Sequence, residues 1–62
     1  SDLKTIMAAK HIIFLLSGKE KAEVAKKAFL DPITMDYPVS IFQMHPHVTV
    51  LLDEEAASLL PL

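Results

Sequence analysis

The stretch from Leu16 to Lys21 has the residue types and spacing of an anion-binding turn. An apolar run ends at Ser17-Gly18, and a helix-forming segment begins directly after it with Lys19 and Lys21. A helix N-terminus offers unpaired backbone N–H groups and the positive end of the helix dipole, which together bind phosphate. Lys21 and Lys19 are therefore candidate phosphate-binding residues; the alternative is that both are solvated lysines on an amphipathic helix.

This turn matches neither of the common nucleotide-binding motifs. A Walker A loop needs a glycine further upstream and a Ser or Thr after the lysine, whereas Glu20 follows Gly18-Lys19 here. A dinucleotide fingerprint needs three glycines, and Gly18 is the only one in the chain. The sequence therefore shows neither of these nucleotide-binding motifs at the turn.

The run His45-Pro46-His47 has alternate imidazoles that suit zinc, but no third ligand is evident in the sequence. We therefore predict no metal site, and the alternative role for His45 is to shape a pocket or cap backbone groups.

Ser17 and His11 lack the spacing of a nucleophile elbow or a triad. The acidic run that begins at Asp53 is explained by helix capping. We predict no catalytic residue in this chain.

The segments that position these residues follow from apolar spacing and turn signals. Asp2 is the expected N-cap of the first helix. Pro46 and Pro61 are expected to end the elements that precede them. We predict helices over 3–9, 19–29, 39–45 and 53–60, a loop over 30–38, and strands over about 11–17 and 48–52.

This order predicts an α/β fold with a Rossmann-like, doubly wound parallel sheet. Two strands joined by a helical crossover are parallel in nearly all known cases. The run Ile12–Leu16 is apolar without alternation, which is typical of a strand covered by helices on both sides. Two such strands do not form a stable sheet alone. We therefore expect residues 1–62 to be a single segment, a C-terminal fragment of a larger domain, with flanking helices.

Composition excludes several classes of function. The chain has 62 residues, no cysteine, 52% apolar residues and 23% charged residues, which is too apolar for disorder. All six positive charges are lysines in the first half, and the net charge is −2. Without arginine, tryptophan or a basic face, nucleic acid is not an expected partner. The longest apolar run has five residues, and a bilayer requires about 20.

Four runs of this sequence resemble one known family: Thr5–Lys10, Ser17–Glu23, Pro38–Pro46 (Pro-Val-Ser-Ile-Phe-Gln-Met-His-Pro) and Val48–Ser58. The runs extend from Thr5 to Ser58, so the resemblance spans almost the whole chain. The third run, followed by a strand and Asp-Glu, is fairly specific. Together the four runs are similar to the C-terminal segment of the glucosamine-6-phosphate deaminase/isomerase family.

The resemblance implies a cytoplasmic, cofactor-free enzyme of amino-sugar metabolism. Such an enzyme converts an amino-sugar 6-phosphate to fructose 6-phosphate and ammonia. It further implies that Lys21 contacts the sugar phosphate, with Gly18 beside it. The expected partners are the sugar-phosphate substrate and either the remainder of the parent domain or other copies of the chain.

The resemblance also implies that the family's proton-transferring carboxylates, its catalytic-loop histidine and a second basic phosphate ligand lie upstream of this segment. We therefore expect the 62 residues alone to be inactive, since proton transfer needs a base within hydrogen-bond reach of the reacting carbons. Three alternatives remain: a sugar-phosphate-sensing domain without chemistry, a galactosamine-6-phosphate isomerase, and a small interaction module that dimerises to cover its strands.

Overall fold

The computed structural model describes residues 2–62 and contains two α-helices and two strands in that part of the chain. Helix α1 spans Leu3–Met7 and α2 spans Ala22–Phe29. Strand β1 spans Ile12–Leu16 and β2 spans Val48–Leu52. Two 3₁₀ helices, Lys19–Lys21 and Pro38–Met44, precede α2 and β2 respectively. No helix in residues 2–62 is long and apolar enough to cross a membrane.

Strands β1 and β2 pair in parallel, as the sequence predicts. The register runs from Ile12 opposite Val48 to Leu16 opposite Leu52. The helical crossover between them confirms the predicted α/β class, and β1 lies within the predicted limits. Because the strands run in the same direction, the segments that follow Leu16 and Leu52 leave the sheet at the same edge.

The core lies on the face of the sheet that packs against α2. Ala22, Ala25 and Ala28 are buried along one side of α2, and the helix backbone lies closest to the 3₁₀ helix Pro38–Met44. The ring of Phe14 lies 5.3 Å from that of Phe29 and 5.1 Å from that of Phe42. Spacings of this kind are typical of favourable aromatic pairs in a core.

Ser40 is the one buried polar residue of the core in the described part of the chain. Its Oγ accepts a hydrogen bond from the Thr34 N–H at 2.9 Å and donates one to the Thr34 carbonyl at 3.0 Å. The side chain thus satisfies both backbone groups of a loop residue. This pair of bonds ties the loop after α2 to the 3₁₀ helix that precedes β2.

The opposite face of the sheet is open in the described residues 2–62. Ile13, Leu15 and Leu51 alternate with the core residues and are 63%, 77% and 51% exposed. The sequence predicts helices on both faces, and the chain itself supplies them on one.

The helix predicted over 53–60 is wrong. That segment forms consecutive turns, with one bond of α-helical spacing (Ala57 N–H to the Asp53 carbonyl) and two of 3₁₀ spacing. Ala56 is its only buried residue. Most helical stability in proteins comes from packing an amphipathic face, and this segment packs too little of itself to propagate a regular helix.

Two other helix limits also differ from the prediction. Helix α1 ends at Met7 because the N–H of Ala9 bonds to the Ile6 carbonyl, which tightens the last turn. Residues 19–21 form a 3₁₀ turn because the Lys21 N–H bonds to the Gly18 carbonyl. The predicted N-cap of α1 is confirmed, since Thr5 N donates to Asp2 Oδ1 at 2.8 Å.

Candidate functional site

The candidate site begins at the turn that follows β1. Gly18 has φ 93° and ψ 156°, the only positive φ among residues 2–62. This backbone region is almost confined to glycine. The Lys21 N–H then donates to the Gly18 carbonyl at 3.1 Å, which closes the turn into the 3₁₀ helix. Gly18 therefore redirects the chain from the sheet edge into the start of α2.

The predicted lysines both lie at this helix start. Lys21 occupies the N-cap position of α2, and the side chains of Lys19 and Lys21 are exposed. The backbone N–H groups of Lys19 and Glu20 open the 3₁₀ turn and so have no acceptor within it. The one ion pair in the described part of the chain joins Lys26 to Asp31, so neither predicted lysine is paired with a carboxylate there.

A carboxylate from the neighbouring strand reaches into the same turn. Asp53 directly follows β2, and its Oδ2 accepts a hydrogen bond from the Gly18 N–H at 3.0 Å. Its Oδ1 accepts from the Ala56 N–H at 2.8 Å and lies 3.2 Å from Gly18 N. The sequence predicted Asp53 only as a local cap. Its bond to Gly18 was missed, although Gly18 and Asp53 each directly follow one of the two predicted parallel strands.

The charged side chains at this edge of the sheet have a net negative charge. Two lysines, Lys19 and Lys21, stand with the carboxylates of Glu20, Asp53, Glu54 and Glu55 in the segments that leave the strands. A cavity of about 350 Å³ is lined by Lys19, Glu54, Glu55 and Ser58. An anion bound here depends on close contacts with a lysine and backbone N–H groups, because the surrounding charge opposes it.

The predicted histidine run lies at the opposite edge of the sheet. His45 Nδ1 accepts a hydrogen bond from the His47 N–H at 3.0 Å, so the ring proton lies on Nε2, which donates to the Ala9 carbonyl at 2.6 Å. His45 thus caps backbone groups, one of the two roles considered from the sequence. In residues 2–62, no cluster of three or more His, Asp or Glu side chains could hold a metal ion.

The residues considered for a triad are far apart. His11 precedes β1 and bonds through Nε2 to Thr49 Oγ1 at 2.8 Å. Ser17 follows the other end of the same strand. A strand rises about 3.3 Å per residue, which separates the two Cα atoms by roughly 20 Å. Ser17 and His11 therefore cannot act together.

Comparison with known proteins found close relatives of this chain. No family model matches it. A glucosamine-6-phosphate deaminase of Shouchella clausii is 54% identical over 56 residues, which are 90% of this chain and 23% of the relative. Glucosamine-6-phosphate deaminase 1 of Bacillus subtilis is 48% identical over 59 residues, or 95% and 24% of the two chains. A Listeria monocytogenes deaminase is 50% identical over 58 residues, or 94% and 25%. The chain thus spans about a quarter of the length of these relatives.

Proposed function

The chain matches a segment of the glucosamine-6-phosphate deaminase family, and on that premise we propose that it forms the phosphate-binding edge of such an enzyme. The whole protein converts an amino-sugar 6-phosphate to fructose 6-phosphate and ammonia in the cytoplasm. The observation that carries the proposal is the Gly18–Lys21 turn at the carboxyl end of β1. Ligands of open α/β sheets bind outside this end of the strands.

Lys21 supplies the charge in this proposal. Its side chain is exposed at the N-cap position of α2 and has no carboxylate partner in the described chain. A phosphate in front of the turn would accept hydrogen bonds from the Lys21 ammonium and from the N–H groups of Lys19 and Glu20. Charge-assisted bonds of this kind are about twice as strong as neutral ones.

Gly18 contributes conformation rather than a donor. Its N–H already bonds to Asp53, so it is not offered to a phosphate in this arrangement. Its positive φ allows the chain to turn from β1 into the 3₁₀ helix, which the Lys21 N–H closes by bonding to the Gly18 carbonyl. A side chain at this position would be strained in the conformation that the turn requires.

We also propose that the segment is one part of a larger domain. The open sheet face of Ile13, Leu15 and Leu51 is apolar, and parallel sheets are normally covered on both sides. The relatives are about four times as long as the region they share with this chain. The remaining length would cover this face and supply the proton-transferring groups. It would also add a cation, which the negative charge around Asp53 makes necessary for tight phosphate binding.

Replacing Lys21 in the full-length protein tests the phosphate assignment. Loss of a hydrogen bond to a charged group costs about 1.5–3 kcal/mol. Lys21→Ala should therefore lower kcat/KM for glucosamine 6-phosphate by about 10- to 150-fold, at 1.4 kcal/mol per tenfold. Inorganic phosphate should also become a weaker competitive inhibitor by a similar factor.

Lys10→Ala is the matched control, because it removes the same charge from the opposite edge of the sheet. Lys10 is exposed and lies beside the histidine run. We expect kcat/KM to stay within about twofold for this variant, because exposed charges beyond a Debye length of about 8 Å are largely screened. Equal losses in both variants, or no loss in Lys21→Ala, would contradict the assignment.

A further inference from the structure

Asp53 joins the segments that follow the two strands. Its carboxylate accepts the Gly18 N–H across 35 positions of sequence and the Ala56 N–H within its own turn. Both oxygens are used: Oδ2 lies 3.0 Å from Gly18 N, and Oδ1 lies 2.8 Å from Ala56 N. One side chain thus fixes the geometry of both loops at the edge where the candidate phosphate site lies.

The Asp53 carboxylate has two opposing effects on an anion site at this turn. On electrostatic grounds alone, a negative charge at the Gly18 turn weakens the binding of a phosphate nearby. The same carboxylate, however, holds the backbone that leads directly into Lys19, Glu20 and Lys21. The net effect of Asp53 on phosphate binding therefore depends on which is larger, the repulsion or the ordering of the turn.

We propose that Asp53 is a positioning residue for phosphate, acting through the Gly18 N–H to hold the turn in its binding-competent form. This inference rests on the proposed function and adds a role for a carboxylate that does not touch the ligand. In this arrangement phosphate contacts the lysines and the N–H groups of Lys19 and Glu20, while Asp53 remains bonded to Gly18.

Asp53→Asn separates the two effects because they have opposite signs. An amide oxygen at the Oδ1 position can keep the Ala56 N–H bond at 2.8 Å but reaches the Gly18 N–H only over the longer distance of 3.2 Å. The NH₂ group then takes the place of Oδ2, 3.0 Å from Gly18 N, and meets that N–H as donor against donor. Removal of the charge should tighten phosphate binding, whereas loss of the ordered turn should weaken it.

The matched control is Glu54→Gln, which removes one negative charge from the adjacent position. Among residues 2–62, Glu54 makes no hydrogen bond to the Gly18 turn, although it lines the cavity beside Lys19. Both variants would be made in the full-length protein. The measurements are KM for glucosamine 6-phosphate and the inhibition constant of inorganic phosphate.

We expect Asp53→Asn to raise both constants by about three- to tenfold, where a tenfold change corresponds to about 1.4 kcal/mol. We expect Glu54→Gln to leave them unchanged or to lower them. In the amide NMR spectrum, the Gly18 resonance is identified as the one that is lost in Gly18→Ala. Its chemical shift should change in Asp53→Asn and remain the same in Glu54→Gln. Constants that fall or remain unchanged in Asp53→Asn would overturn the positioning role.

A second measurement uses the unmodified protein, so it does not depend on the variant's folding. During titration with inorganic phosphate, the amide resonances of Lys19 and Glu20 should shift more than that of Gly18. A dominant shift at Gly18 would mean that phosphate replaces Asp53 there, and the proposal would fail. Failure of the proposed function is distinguishable: Lys21→Ala would then leave KM unchanged, while the Gly18 resonance still reports on Asp53.

Discussion

Substitution of Gly18 by alanine tests the turn on which the candidate site depends. Gly18 has φ 93° and ψ 156°, a region in which a residue with a Cβ is strained by about 1–3 kcal/mol. Alanine also restricts the unfolded chain, which offsets about 0.4–1 kcal/mol of that cost. At the midpoints of these two ranges, about 2 and about 0.7 kcal/mol, the expected net loss in the free energy of unfolding is about 1.3 kcal/mol.

A steric clash of the new Cβ would also explain a loss of stability, and the structure allows this clash to be distinguished from backbone strain. A Cβ on Gly18 would lie 2.7 Å from Glu20 Oε1. That oxygen is the end of a flexible, exposed side chain, which can rotate away at little cost. Most of the penalty should therefore come from the backbone. It should persist when alanine is introduced at Gly18 in a Glu20→Ala background.

The assay is urea unfolding of the full-length protein with and without each substitution, combined as a double-mutant cycle. A coupling energy below about 0.5 kcal/mol between the two positions supports backbone strain. The reasoning would be refuted if Gly18→Ala cost nothing. It would also be refuted if the Glu20→Ala background removed the cost, which would assign the effect to the clash.

Two further predictions concern the elements that support the site. Ser40→Ala should lower the free energy of unfolding by about 1–3 kcal/mol, because it leaves the N–H and carbonyl of Thr34 without their partner; an unchanged urea midpoint would contradict this role. The backbone N–H of Thr5 holds the pKa of Asp2 below its usual value. The stabilisation of α1 by this cap should therefore be complete above the unfolded pKa of about 3.9 and be lost as the pH falls through the lower folded pKa. Amide exchange of Thr5 between pH 5 and 2 measures this loss, and an Asp2→Asn variant, which caps without titrating, should not show it.

Local patterns in the sequence were sufficient for the elements that pack their own apolar residues. The run Ile12–Leu16 and the segment Val48–Leu52 are strands, and the alanines of α2 form its buried side. The same reasoning failed for residues 54–60. That segment has strong helix formers and a capping aspartate, but only Ala56 is buried. Helix propensity therefore predicted an element that tertiary packing does not support.

In the candidate phosphate site, too, the sequence determined some features and only the tertiary structure decided others. The sequence alone determined that a glycine turn with two lysines follows β1, because these are neighbours along the chain. It also determined that this turn lies at the carboxyl edge of a parallel sheet, which follows from the helical crossover. Only the tertiary structure decided that the Gly18 N–H is taken by Asp53, 35 positions away. Such a bond depends on the register of β1 against β2 and on the conformation of two loops, and neither is encoded by local spacing.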